Sequence, residues 1–259
     1  MTTVDRRAWI ITLAAAAILM VTMGTRQSLG LFVSPLNTTT GLGIVTISFA
    51  LAVGQFMWGA VQPIAGAIAD RHGPGPVLIG GIVILAVGMA LTPFMGSGLG
   101  LVIALGLLAA IGAGAASFSV LIGATAQRLQ AEARGTASGV INAGGSFGQF
   151  VFAPLSQKLI QAFGWLGAMW ALAAITLAAL PLIGILTKGH KPHARPAEGQ
   201  GGAWRAIKDS MNDRSYLLLH AGFFTCGFHI AFLVTHMPGE VELCGLPAAV
   251  ASWSLAIVG

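Results

Sequence analysis

Gly66-Ala67-Ile68-Ala69-Asp70-Arg71-His72-Gly73 is a charged knot tied between two long apolar runs. No side chain is ionised from Ile44 to Ala69, and none from Gly75 to Gln127. An Asp-Arg pair at such a junction stays in water while the flanking runs enter lipid, and Gly73 supplies the backbone freedom for a tight turn. The knot reads as the short aqueous link between two membrane helices.

The 259-residue chain is 56% hydrophobic and only 8% charged. A soluble domain carries about 25% charged residues, so the expected fold class is an all-α membrane protein. Spans need roughly 20 apolar residues each. They fall at 8–35, 44–69, 75–95, 98–127, 135–160, 164–187 and 215–237. An eighth apolar run starts near Leu246 and stops at Gly259, short of a crossing. Arg6 and Arg7 ahead of the first run imitate a secretory signal, but the further spans argue for a retained helix. Cys226 and Cys244 are too far apart in sequence and too few for a disulfide framework or metal site, and no cofactor is expected.

The basic residues test this topology. With a cytoplasmic N-terminus, the inner segments hold Arg6, Arg7, Arg71, Arg128, Arg134, Lys188, Lys191, Arg195, Arg205, Lys208 and Arg214, whereas the outer segments hold Lys158 alone. Cytoplasmic loops are enriched in Lys and Arg, so orientation and helix count support each other. The net charge of +5 then follows from topology and needs no nucleic-acid partner. Residues 188–213 are the long polar stretch, in which Trp204, Ile207 and Met211 recur at helical spacing as in a surface amphipathic helix. The expected organisation is a six-helix bundle over 1–187, a cytoplasmic linker over 188–213, and over 214–259 the first one to two helices of a second bundle.

Polar side chains inside a bilayer mark faces turned away from lipid. Ser48, Gln55 and Gln62 recur every seven residues in the second helix, and Gln55 is echoed by Gln149 within Gly54-Gln55-Phe56 and Gly148-Gln149-Phe150. Ser138, Asn142 and Gln149 form a stripe in the fifth helix; Thr225, His229 and His236 form one in the seventh. The first helix has Thr22, Arg26 and Gln27, whereas the third and sixth have little beyond Thr92 and Thr176. Helices one, two, five and seven are therefore expected around an interior path, with three and six outside. Gly135, Gly139, Gly144, Gly145 and Gly148 give helix five small-residue spacings suited to close packing or to a sliding contact.

Arg26 is the leading chemical candidate. It is about 18 residues into the first helix, or roughly 27 Å along it, towards the outer side. A guanidinium there must pair, line water or meet an anion. No acidic residue falls within an expected span, which favours an external carboxylate held in a bidentate way; snorkelling to the interface is the alternative. Gln27, Gln55, Asn142 and Gln149 either line the same cavity or bond between helices. His229 could pass protons or be a satisfied neutral histidine.

The knot resembles the Gly-x-x-x-Asp-Arg-x-Gly loop between helices two and three of the major facilitator superfamily, with Gly66, Asp70, Arg71 and Gly73 at the signature positions. It departs from the usual pattern in having Pro74-Gly75-Pro76 where basic residues follow. Within that superfamily the chain looks like the monocarboxylate porter group, including its oxalate/formate branch. The likeness is carried by Gly24-Thr25-Arg26-Gln27-Ser28-Leu29-Gly30-Leu31-Phe32, by Arg134 to Gly148 with Pro154 and Gly164-Trp165, and by Cys226 to Phe232. The resemblance implies two six-helix bundles rocking about a central site, a small organic anion as substrate with a co-transported proton, and a multi-pass plasma-membrane location. It implies a gating role at the cytoplasmic side for Gly66, Asp70, Arg71, Gly73 and Arg134.

Sugar and drug transporters of the superfamily often carry an arginine in helix four, where this chain reads Ala104-Leu105-Gly106-Leu107. Members have two complete bundles, so on this reading the chain is an incomplete transporter, expected not to transport alone. A membrane-embedded enzyme would need converging carboxylates or a His-rich metal set, and the spans have neither. A non-transporting partner or regulatory subunit is the remaining alternative.

Overall fold

The structure, a computed structural model, describes residues 6–187 and 210–259. The expected amphipathic linker helix around Trp204 and Ile207 lies outside the described residues. Among those described the fold is all-helical. Six apolar helical segments are long enough to cross a membrane: α1 (Ala8–Thr40), α2 (Ile44–His72), α3 (Pro74–Phe94), α4 (Gly98–Ala126), the 57-residue segment Ala131–Thr187, and a segment at Arg214–Leu243. A continuous 57-residue helix would run roughly 85 Å, far beyond a bilayer. It is broken at Gly164, whose φ of 69° and ψ of 172° reverse the chain. The two limbs are α5 (131–163) and α6 (165–187). Arg214–Leu243 is α7 and Ala248–Val258 is α8.

Each boundary has a local cause. Gly73 takes φ 87° and Pro74 opens α3, so a single residue turns the chain between α2 and α3. Asp70, Arg71 and His72 form the last turn of α2 rather than a separate loop. Within α1, Pro35 has no N–H for the Leu31 carbonyl, and the turn before it tightens to a 3₁₀ stretch over Leu29–Phe32 before the helix resumes to Thr40. The expected end at 35 is thus five residues early. In α4 the backbone widens to π geometry over Val102–Ala109 and breaks at Ala116 (φ −99°, ψ 35°). Thr22 Oγ1 donates to the freed Ala116 carbonyl at 3.2 Å, restoring the bond that the break removes.

Packing gives the direction of each helix. Gly144 and Gly148 of α5 meet Ala16 and Met20 of α1 in the same order, so these two run parallel. Ala50 to Val61 of α2 likewise follow Gly106 to Gly114 of α4, whereas Gly81 and Gly88 of α3 meet α4 in reverse order. In α6, Trp170 Nε1 donates to the Ala90 carbonyl of α3 at 3.1 Å, while Thr187 lies against Gly75 at α3's other end, so α3 and α6 are antiparallel. Trp165 Nε1 donates to Thr39 Oγ1 at 3.0 Å, pinning the α5–α6 reversal to the end of α1. Tryptophans with a bonded indole suit a membrane–water boundary. Thr92 and Thr176 donate to the Gly88 and Leu172 carbonyls of their own helices, which leaves α3 and α6 without exposed polar groups at those positions.

The glycines of α5 divide in two. A methyl on Gly144 would stand 2.5 Å from the Ala16 carbonyl oxygen, and one on Gly148 would run into the Met20 carbonyl, whereas Gly135 and Gly139 have nothing within 4 Å. Gly148→Val should therefore lower the stability of the detergent-solubilised protein by about 1–3 kcal/mol, as overpacking does. Gly139→Ala should leave it unchanged. Thermal melting of the two variants checks this pair; equal losses would refute the packing assignment.

Candidate functional site

Arg26 lies eighteen residues after Ala8 and fourteen before Thr40, near the middle of α1. The helix continues past the expected end at 35, which puts Arg26 nearer its midpoint than the apolar run alone suggested. The guanidinium donates to Gln55 Oε1 of α2. Its carbon sits 4.2 Å from the centre of the Trp58 ring, three residues further along the same helix. A cation over an indole face is worth about 0.5–2 kcal/mol, more as water is excluded. Sequence reasoning found Arg26 and Gln55 but missed Trp58, although residues i and i+3 share a helix face.

Arg26 and Gln55 open on a cavity whose wall is otherwise apolar apart from Thr235. Leu29 of α1, Leu51 of α2, Leu85 of α3, Leu105 of α4 and Val234 of α7 all reach it. Its free volume is about 30 Å³, room for roughly one water-sized group. The wall comes from α1, α2, α3, α4 and α7, so around this cavity α3 and α4 take the place expected of the fifth helix. The π stretch of α4 supplies Leu105 and Ala109, placing the widened backbone directly beside the cavity. Such stretches are frequent at functional sites. A second cavity of about 370 Å³ lies between α1, α5, α7 and α8, with Ser34, Thr38, Gln157 and Glu242 in its wall. Gly30 borders both, and a methyl there would run into the Val234 carbonyl of α7. This crossing of α1 and α7 divides the two spaces.

The remaining candidates are not gathered around Arg26. Gln27 is buried beside it in sequence but does not line the cavity. Gln149 is buried and donates from Nε2 to the Leu255 carbonyl of α8 at 2.9 Å. Asn142 is exposed. His229 is also exposed, and its Nδ1 lies 2.7 Å from the Thr225 carbonyl of its own helix. Two turns further along α2, Gln62 Oε1 accepts from Ser119 Oγ at 3.1 Å, beside a Ser117–Ser119 contact that the helical stripe did not predict. Gly66, Asp70, Arg71 and Gly73 fall in the α2–α3 junction, with Asp70 and Arg71 exposed. Arg134, in the first turn of α5, donates from Nε to the Leu129 carbonyl at 3.2 Å. The span reading needs correcting at three helix ends, since α2 takes in Asp70 and α5 takes in Glu132. Helix α7 runs to Leu243, so Glu240 and Glu242 lie in its last turn, and membrane helices carry acids at their ends.

The arrangement can hold an anion. Arg26 has five N–H donors, of which Gln55 engages one, and the cavity wall offers no carboxylate as a competing partner.

Comparison with known proteins bears on the family and the fold. The chain matches the family model described as Major Facilitator Superfamily over residues 13–259. Monocarboxylate transporter 11 of Homo sapiens is 31% identical over 189 residues, covering 73% of this chain and 40% of that protein. The oxalate:formate antiporter of Oxalobacter formigenes is 26% identical over 176 residues, covering 68% of this chain and 41% of the antiporter. The chain thus spans about two fifths of the length of these relatives. Among solved structures, a D-xylose-proton symporter superposes with a TM-score of 0.69 at 19% identity, over 96% of this chain and 65% of that one, a likeness of fold.

Proposed function

This chain belongs to the Major Facilitator Superfamily, and we propose that it is the anion-binding part of a secondary transporter for small monocarboxylates working by alternating access. Its family consists of membrane transporters rather than enzymes, and the chain itself is a multi-pass membrane protein. The observation that carries the substrate class is Arg26, a cation at mid-helix held by an amide and an indole in an apolar-walled cavity. A fixed guanidinium matches a carboxylate in charge and shape, and the leucine wall suits a short aliphatic remainder. The names of the relatives, which specify monocarboxylates, oxalate and formate, support the same class.

In this reading Arg26 anchors the carboxylate and Gln55 orients the guanidinium. Asn142, Gln149 and His229 stay outside the immediate contact set. The α2–α3 junction, with Gly66, Asp70, Arg71 and Gly73, and Arg134 at the start of α5 form the cytoplasmic gate. The proposed co-substrate is a proton, and the proposed location is the plasma membrane with the N-terminus inside.

Equilibrium dialysis of the purified chain with labelled acetate tests the substrate class. Saturable binding displaced by propionate and lactate but not by xylose or tetramethylammonium is expected; no saturable binding, or displacement by xylose, would remove the proposal. Orientation has its own check in the two exposed native cysteines. A membrane-impermeant maleimide added to intact cells should modify Cys244, in the outer turn after α7, and leave Cys226, within the helix, unlabelled. Cys244 that reacts only after the membrane is permeabilised would reverse the topology.

A further inference from the structure

Arg26 and Gln55 share their cavity with one further polar residue, Thr235 of α7. It immediately precedes His236 and so falls off the face marked by Thr225, His229 and His236. Its hydroxyl makes no hydrogen bond among the described residues. Other helical threonines spend their proton on their own backbone. In the same helix Thr225 donates to the Ala221 carbonyl at 3.0 Å, and Thr92, Thr125 and Thr176 each donate to the carbonyl four residues earlier at 2.8 Å. Such a threonine has only lone pairs left for a ligand, whereas Thr235 keeps its O–H. The hydroxyls of Thr25, Ser48 and Ser156 are also unpaired, but none of those three residues lines this cavity.

The crossing of α1 and α7 sets where this residue sits. Gly30 lies against the Val234 and Thr235 carbonyls, and Arg26 is one turn before Gly30 on α1. Arg26 and Thr235 therefore reach the cavity from two helices that touch one turn away. The free volume of about 30 Å³ is room for roughly one water-sized group, so a group held there by Arg26 is also close to Thr235. An ionised carboxylate is acceptor-only and has about four lone-pair sites. A bidentate guanidinium uses two of them. The others call for a neutral donor, and an uncommitted hydroxyl is one.

We propose that Thr235 is a direct ligand of the transported anion, its hydroxyl donating to a carboxylate lone pair that Arg26 leaves free. The inference rests on the monocarboxylate reading above and deepens it by bringing α7 into the anion site. Because Arg26 belongs to α1 and Thr235 to α7, the bound carboxylate ties the two helices together beside the Gly30–Val234 contact. The anion then favours the arrangement in which these helices touch, since only there does it make both bonds.

Thr235→Val deletes the hydroxyl and keeps the branched shape, whereas Thr235→Ser keeps the hydroxyl. With labelled acetate as the probe in equilibrium dialysis, Thr235→Val should bind about tenfold more weakly, the loss expected for one hydrogen bond to a charged group. Thr235→Ser should bind like the parent. Thr235→Ala replaces the valine variant if the latter is not monodisperse. Infrared difference spectra with acetate labelled with ¹³C at its carboxylate give a readout that packing alone would not move. The antisymmetric carboxylate stretch of bound acetate should shift when the hydroxyl is deleted and return in Thr235→Ser. Parental affinity without the hydroxyl, an equal loss in Thr235→Ser, or one carboxylate band common to all the proteins overturns this proposal and leaves the Arg26 reading standing. Failure of the unsubstituted chain to bind acetate, propionate or lactate removes both.

Discussion

Arg26→Ala should lose acetate binding by at least about thirtyfold while still inserting into the membrane. Removing one partner of a desolvated, hydrogen-bonded charge pair costs about 2–5 kcal/mol, and each 1.4 kcal/mol is a factor of about ten in affinity. Insertion should survive because the substitution removes an expensive intramembrane charge rather than adding one. Arg26→Lys is the more telling variant. It retains the charge but gives up the planar fork and the flat face that lies on Trp58. We expect it to bind more tightly than the alanine variant and about tenfold more weakly than the parent. Asn142→Ala, at an exposed position away from the cavity, should leave affinity unaltered. Isothermal titration of the four proteins measures all of this at once, and an alanine variant with parental affinity would take the anion site away from α1.

Gly30→Ala should open the outer face. The added methyl cannot coexist with the Val234 carbonyl, and because the obstructing atom is backbone no rotamer change relieves the contact. Helices α1 and α7 must part. Their separation would join the outer cavity of about 370 Å³ to the Arg26 cavity of about 30 Å³, since Gly30 borders both. Overpacking costs of about 1–3 kcal/mol translate into a population shift of roughly five- to 150-fold towards the open arrangement. The reporter is Thr235→Cys, a wall residue of the inner cavity, with Cys226 and Cys244 replaced by serine. Its reaction with an impermeant thiol reagent added from the outer side should accelerate severalfold when Gly30 becomes alanine. An unaltered rate in a protein that remains monodisperse would mean that this crossing is not the barrier.

Much of the bundle was legible because membrane helices obey few constraints. A single turn residue at Gly73 and the uncharged runs either side of it pointed to α2, α3 and the junction where they meet. The small-residue spacing in α5 pointed to Gly144 and Gly148, though it could not tell them from Gly135 and Gly139, which face open space. Boundaries failed where local chemistry is permissive: the first span was expected to end at 35, yet the helix tightens over Leu29–Phe32 and continues to Thr40.

The site was only half legible. Arg26 and Gln55 stand out as polar groups in oily helices. Trp58 does not, because a tryptophan in such a run reads as lipid-facing until its partner is known. Gln149 shares the α5 stripe with Asn142 but bonds to the backbone of α8, a contact made at a sequence separation of 106. The π stretch of α4 has no sequence signal: Val102–Ala109 is uniformly apolar, like the ordinary helices around it.

Gly148 and Gln149 engage opposite neighbours through adjacent residues of one helix. Gly148 rests on the Met20–Gly24 segment of α1, and Gln149 grips Leu255 of α8. A twist of α5 about its own axis would therefore have to drag both attachments together. A push delivered to α8 would then be felt, two residues past Gly24, at Arg26.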